Sequence, residues 1–251
     1  ISSNNNFSKK VYVDISGGRN PDSNLITGRG CLVAYETYIN VCRQVMLGEN
    51  VALSPKSMIY THSYWQSILD GYSSNFGPVF IDDNSWLGSV AQILPNITVG
   101  TGSIILSNSL VTSNIKPYTM VGGVPAKIIK SDINNKSSKT KKEKIIKSLF
   151  SELVKWLELQ NYEVEEINKK TINISSNKEK KSCFISIGLN NKVIKKSKID
   201  IIISYNSKQI ESDKYKTLLD INNKIAIGEL GEIEHRIVNF FRRQGIRLYE
   251  T

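Results

Sequence analysis

Histidine is almost absent from this chain: among 251 residues only His62 and His235 occur. A zinc site built from three histidine ligands is therefore excluded within a single copy. Cysteine is nearly as scarce. Cys31, Cys42 and Cys183 show no metal-ligand spacing, and their odd number leaves one thiol over in any disulfide scheme, so a reducing cytoplasm is the expected compartment. No apolar run approaches the roughly 20 residues of a membrane helix. The start, Ile1-Ser2-Ser3-Asn4, has no basic-then-apolar signal pattern. No membrane span is expected, and the lack of an initiator Met leaves open a segment upstream of Ile1.

Acidic residues are in deficit, but unevenly. Residues 1–130 hold 9 Lys+Arg against 7 Asp+Glu, and residues 131–251 hold 24 against 16, within a formal net charge of +10. The excess is mainly lysine scattered among Asn, Ile and Ser, without a recognition motif or interleaved aromatics. No nucleic-acid partner is expected on that basis.

What is present is a period. Ile81, Leu87, Ile93, Val99, Ile105 and Val111 recur at every sixth position, a spacing that fits neither an α-helix nor an alternating strand. A hexapeptide period is the signature of a parallel β-helix, whose short runs turn tight corners while the recurrent aliphatic side chain stacks inward. Four positions after each aliphatic residue stand Ser85, Ala91, Ile97, Ser103 and Ser109, mostly small, as crowded corners demand. An upstream run, Tyr35, Val41, Leu47, Leu53 and Ile59, has the same spacing in a different phase. An excursion holding His62, Tyr64, Trp65, Asp70, Gly71 and Pro78 therefore interrupts the coil between Ile59 and Ile81.

The coil is expected to occupy residues 1–130 and to close at Val121-Gly122-Gly123-Val124-Pro125-Ala126-Lys127-Ile128-Ile129-Lys130. A polar linker follows over 131–142. Over 143–251 the patterns predict a small α+β domain whose role the sequence does not reveal. Ile145, Ile146, Leu149, Leu153, Trp156 and Leu157 share a helical face, strands cover 182–187, 199–205 and 218–227, and a closing helix over 233–244 carries Ile237, Phe240 and Phe241.

His62 stands just where the coil gives way to the excursion. An unperturbed imidazole titrates near pH 6.5 and suits proton removal from a hydroxyl at neutral pH. Around it, Trp86-Leu87-Gly88-Ser89, Ile93-Leu94-Pro95-Asn96-Ile97-Thr98-Val99-Gly100, Ser109-Leu110-Val111-Thr112 and Gly123-Val124-Pro125-Ala126-Lys127 together resemble the hexapeptide-repeat acyltransferases. The match is nearest to the branch of galactoside, maltose, xenobiotic and polysaccharide O-acetyltransferases and covers about residues 30–130.

The resemblance implies a left-handed parallel β-helix, a homotrimer, and acetyl-CoA lying in the cleft between neighbouring copies. It implies His62 as the general base that frees an acceptor hydroxyl or amine to attack the thioester directly, backbone N–H groups stabilising the oxyanion. Trp86, Gly88 and Ser89 match positions along the pantetheine path, Ser107 and Thr112 further cofactor contacts, and Lys127 and Lys130 cations that meet the nucleotide phosphates. Glu36 and Asp70 are the acidic candidates on the acceptor side. The chain departs from the family at Ser113, where a lysine is usual, and at Leu106-Ser107-Asn108-Ser109, where Gly-Ala-Gly-Ser is usual. The expected function is O-acetylation of a carbohydrate. Two alternatives stay open: an acyl donor tethered to an acyl carrier protein that docks on the basic second half, and a non-catalytic scaffold whose C-terminal domain binds a partner.

Overall fold

The computed structural model describes residues 4–134, 138–168, 171–175, 182–188, 199–204, 215–221, 224–228 and 230–250. The chain is mostly sheet with few helices and divides into two compact units, Ile1–Lys136 and Ser137–Thr251.

In the first unit, three parallel sheets receive successive strands in rotation. The first face takes Leu32–Val33, Ala52–Leu53, Trp86–Leu87, Ile104–Ile105 and Met120–Gly122. The second takes Tyr12–Asp14, Tyr38–Asn40, Met58–Ile59, Gln92–Ile93 and Leu110–Val111. The third takes Leu25–Thr27, Val45–Leu47, Val79–Ile81 and Ile97–Val99. Each strand is two or three residues long, so one side chain per strand, or two flanking an outward one, faces the interior.

The period of six is the distance from face to face. Ile81, Leu87, Ile93, Val99, Ile105 and Val111 lie on the third, first, second, third, first and second faces in turn, and all are buried in one core. Gln92 pairs with Leu110 and Trp86 with Ile104, 18 positions apart, which is three such steps. The small residues Ser85, Ala91, Ser103 and Ser109 are also fully buried. Each follows a corner residue in the left-handed conformation: Asn84, Val90, Gly102 and Asn108, with φ between 57° and 66°.

Upstream the register differs from the expected one. Tyr38 pairs with Met58 and Leu32 with Ala52, 20 positions apart. The two extra residues fall in the corner at 40–44, so the inward positions are Val33 and Ile39, then Leu47, Leu53 and Ile59. Tyr35, expected inside, lies in a turn and is exposed, whereas Val41 is buried without belonging to a strand. The coil ends as Met120–Gly122 folds back through Gly123 onto the antiparallel strand Lys127–Lys130.

In the second unit, helix α1 (Lys139–Leu159) begins inside the expected linker, capped by the Ser138 hydroxyl, which accepts from Lys141 N at 3.3 Å. It buries Ile146, Leu149, Phe150, Leu153, Val154 and Leu157, while Ile145 is exposed. A seven-stranded mixed sheet follows, with α2 (Glu232–Arg243) burying Ile237, Phe240 and Phe241. The single strand expected over 218–227 is two, Tyr215–Asp220 and Ile225–Gly228, paired antiparallel. Strands Glu163–Asn168, Thr171–Ser175 and Tyr249–Glu250 were not expected. Tyr205, the end of another expected strand, lies outside the described residues. Among the described residues no helix is long and apolar enough to cross a membrane, and no group of three or more His, Cys, Asp or Glu side chains is placed to hold a metal ion.

Candidate active site

The excursion leaves the coil where the second face turns toward the third. Beyond Ile59 the strands His62–Ser63 and Asn75–Phe76 pair antiparallel, with Phe76 opposite His62, and the chain re-enters the third face at Val79. Between them the short helical turn Ile68–Asp70 is capped by Ser67, whose hydroxyl accepts from Leu69 N at 3.1 Å. The tip is apolar and open to solvent: Trp65 is 88% exposed and Leu69 92%.

His62 itself is half-buried, and its Nδ1 lies 3.0 Å from Asn40 Oδ1. Backbone groups fix which way the Asn40 amide points. Its Oδ1 accepts from Cys42 N at 3.2 Å and its Nδ2 donates to Ser16 O at 2.8 Å. A flipped amide would oppose donor to donor and acceptor to acceptor. In the neutral imidazole the proton therefore sits on Nδ1 and the Nε2 lone pair is free, which is the tautomer a general base requires. The Thr61 hydroxyl donates to the same Asn40 oxygen, and Asn40 is wholly buried.

Behind Asn40 stands a carboxylate. Tyr38 donates its hydroxyl to Asp14 Oδ2 at 2.7 Å, and the Ser16 hydroxyl donates to the same oxygen. These bonds, that from Ser16 first, hold the Asp14 carboxyl below the usual carboxylate range. Burial pushes the Tyr38 phenol up. Asn40 Nδ2 also reaches Ser16 Oγ at 3.2 Å, so carboxylate, hydroxyl, amide and imidazole form one connected set. Gly17 completes it: at φ 97° its backbone passes so near the ring that a Cβ would stand 2.6 Å from His62 Nδ1.

Aromatic rings wall the imidazole. Tyr64 lies 5.5 Å from it and Phe76 6.1 Å, centroid to centroid, and the Arg43 guanidinium sits 4.9 Å over the Phe76 ring.

The expected cofactor positions fall mostly along a different edge. Trp86, on the first face, points outward, 48% exposed, and its indole N–H donates to Ser54 Oγ at 2.8 Å. Gly88, Ser89 and Ser107 occupy stacked corners between the first and second faces. A Cβ on Gly88 would stand 2.5 Å from Ser107 N, so this glycine answers to coil packing. Lys127 and Lys130 are exposed on the closing strand, opposite Gly122 and Met120 of the same face. Thr112 is exposed at the corner after the second face, on the His62 edge.

Neither expected acidic residue meets the imidazole. Glu36 sits at the first-to-second corner between Lys10 (3.7 Å) and Lys56 (3.6 Å), and Asp70 is exposed in the helical turn of the excursion. Asp14, Ser16, Gly17, Tyr38, Asn40 and Arg43 were not among the residues singled out from the sequence.

No family model matches the chain. A chloramphenicol acetyltransferase of Klebsiella aerogenes is 44% identical over 66 residues, which are 26% of this chain and 31% of that protein. A Staphylococcus aureus protein with a provisional acetyltransferase name is 36% identical over 78 residues, 31% of this chain and 39% of that one. The relatives are acetyltransferases by name. The chain spans under two fifths of the length of these curated relatives. Among solved structures, a hexapeptide-repeat acetyltransferase of Vibrio cholerae in complex with acetyl coenzyme A is similar, with 22% identity, 51% of this chain, 69% of that chain and a TM-score of 0.43. A galactoside acetyltransferase in complex with coenzyme A has 26% identity, 51% and 64% coverage, and a TM-score of 0.42.

Proposed function

We propose that the chain is an acetyl-CoA-dependent O-acetyltransferase acting on a carbohydrate, with a left-handed coil, three copies around an axis and His62 as general base. The observation that carries this reading is the imidazole whose Nδ1 is bonded to Asn40, itself fixed by backbone groups, so that Nε2 is the nitrogen left for an acceptor's proton. The acceptor oxygen attacks the thioester carbonyl as Nε2 takes its proton. The C–S bond breaks, and the imidazolium returns the proton to the departing thiolate.

The donor side fits acetyl-CoA by its chemistry. Trp86 offers an outward ring, Ser107 and Thr112 exposed hydroxyls, and Lys127 and Lys130 ammonium groups for phosphates. Within one copy, Trp86, Gly88, Ser89, Ser107 and the two lysines lie apart from the edge that bears His62. A site assembled at a seam between copies joins one copy's imidazole to the other's pantetheine path, which is the reason for proposing a trimer.

The test is free-thiol release from acetyl-CoA by the purified chain with a panel of glycosides, oligosaccharides and chloramphenicol. Release that requires a sugar and His62 supports the reading. Release with chloramphenicol alone moves the acceptor to xenobiotics. Release only from an acylated carrier protein, or none that depends on His62, overturns it.

A further inference from the structure

One cation that shares the Phe76 ring with the imidazole forms no ion pair with an acid among the described residues. Arg43 follows Asn40 by three residues, in the corner that carries the two extra residues of the early coils. Its backbone N–H donates to the Thr61 hydroxyl at 3.1 Å, and Nη1 donates to Cys42 O at 3.0 Å. The side chain is half-buried, with the guanidinium 4.9 Å over Phe76, the ring stacked at 6.1 Å and 24° against His62. The two remaining nitrogens of the fork have no partner among the described residues, and no described carboxylate forms an ion pair with it. The carboxylate of the His62 network, Asp14, is already engaged by Ser16 and Tyr38.

A guanidinium held by its neighbours, partly withdrawn from water and without a counter-charge gains most from an oxyanion, which it meets with two parallel N–H donors. The cation–π contact with Phe76 uses none of the guanidinium's N–H donors, and Cys42 O takes only Nη1, so Nε and Nη2 are left for such a bond. Imidazole and guanidinium both pack against the Phe76 ring, so a ligand bridging them would bring a hydroxyl to one and a charge to the other.

We propose that Arg43 selects the acceptor, and that the acceptor is anionic: a carbohydrate bearing an oxyanion, with the reacting hydroxyl at His62 Nε2 and the charged group at the Arg43 fork. This rests on the acetyltransferase reading and adds a substrate class to it. The carboxylate of a sugar acid and the phosphate of a sugar phosphate share the required chemistry.

Matched acceptors test it on the full chain: methyl glucoside, methyl glucuronide and glucose 6-phosphate, each assayed for thiol release and, separately, for calorimetric binding. At least one charged member is expected to exceed the neutral sugar by about tenfold to a hundredfold in kcat/KM and in affinity, and the member favoured identifies the oxyanion. Arg43→Leu should bring that ratio close to one. Arg43→Gln, which keeps a donor for Cys42 O, should do the same and guards against a folding artefact. Equal use of charged and neutral sugars by the unaltered chain, a preference surviving in Arg43→Gln, or a raised KM for acetyl-CoA in place of the acceptor would each overturn the assignment. Binding is read without turnover, so charge-dependent affinity with no thiol release would sink the acetyltransferase reading and leave Arg43 as the anion contact. Thiol release without charge dependence does the reverse.

Discussion

Asn40 Oδ1 and His62 Nδ1 stand 3.0 Å apart across 22 residues of sequence, and the backbone of Cys42 and Ser16 decides which of them is the acceptor. The tautomer of the imidazole is thus a property of the coil, because both residues leave it at the same edge in successive turns. If His62 is the base proposed above, replacing it by Ala is expected to lower kcat about a hundredfold or more with the thermal midpoint little changed. Asn40→Ala should also lower kcat, by up to about a hundredfold, since the ring loses its fixed orientation. It should in addition destabilise the fold by about 1–3 kcal/mol, because the buried Cys42 N–H loses its acceptor and the Thr61 hydroxyl keeps only the backbone carbonyl of residue 40. Asn40→Ala with unaltered kcat would refute the positioning role.

Gly17 and Gly18 separate backbone strain from access to the ring. Both adopt positive φ, 97° and 101°, so Ala at either position pays a comparable conformational cost of about 1–3 kcal/mol. Only at position 17 would the new Cβ meet His62, at 2.6 Å from Nδ1, whereas nothing lies within 4 Å of one at position 18. Gly17→Ala should therefore lose turnover well beyond Gly18→Ala, and lose more stability too by the cost of displacing the ring. Parallel kinetics and melting of the two variants measure this, and identical kinetics would show that the ring tolerates displacement.

Much of the coil was legible because its inward residues repeat at a constant step and water-excluded stacking enforces that step through Ile81, Leu87, Ile93, Val99, Ile105 and Val111. The early turns were harder to read. A corner two residues longer shifts the phase, and Tyr35, apolar and correctly spaced from Val41, falls in a turn while Val33 takes the core. His62 stood out by rarity and position, but its partners did not. Asp14, Ser16 and Asn40 belong to neighbouring turns, and a side-chain network between turns leaves no local pattern. The split of 218–227 was legible after all, since Asn222-Asn223 between apolar runs is a turn signal.

The Asp14 carboxyl is held below its ordinary range by hydroxyls of Ser16 and Tyr38. A folded-state pKa below the unfolded one stabilises the fold above the unfolded value of about 3.9, and that contribution is lost as pH falls through the folded value. Asp14→Asn should consequently unfold at lower urea than the unaltered chain at pH 7, with the gap narrowing toward pH 3. A gap of constant size across that range would mean that the carboxyl's ionisation is not what stabilises this corner.

Val90 occupies a left-handed corner, φ 63°, at the place in its turn where Glu36, Lys56 and Asn108 stand in others. A β-branched side chain is the costliest occupant of that conformation, and Asn is among the most tolerant. Val90→Asn is therefore expected to raise stability by about 1 kcal/mol. Gly88, two residues earlier, should behave in the opposite sense. A Cβ there would press on the Ser107 backbone at 2.5 Å, so Gly88→Ala must push two turns apart and should cost about 1–3 kcal/mol. If Gly88 serves coil packing, its Ala variant loses stability first, and residual kcat/KM for acetyl-CoA, measured well below the melting temperature, stays within a few-fold. A large rise in the acetyl-CoA KM without loss of stability would instead make Gly88 a point of close approach for the thioester arm.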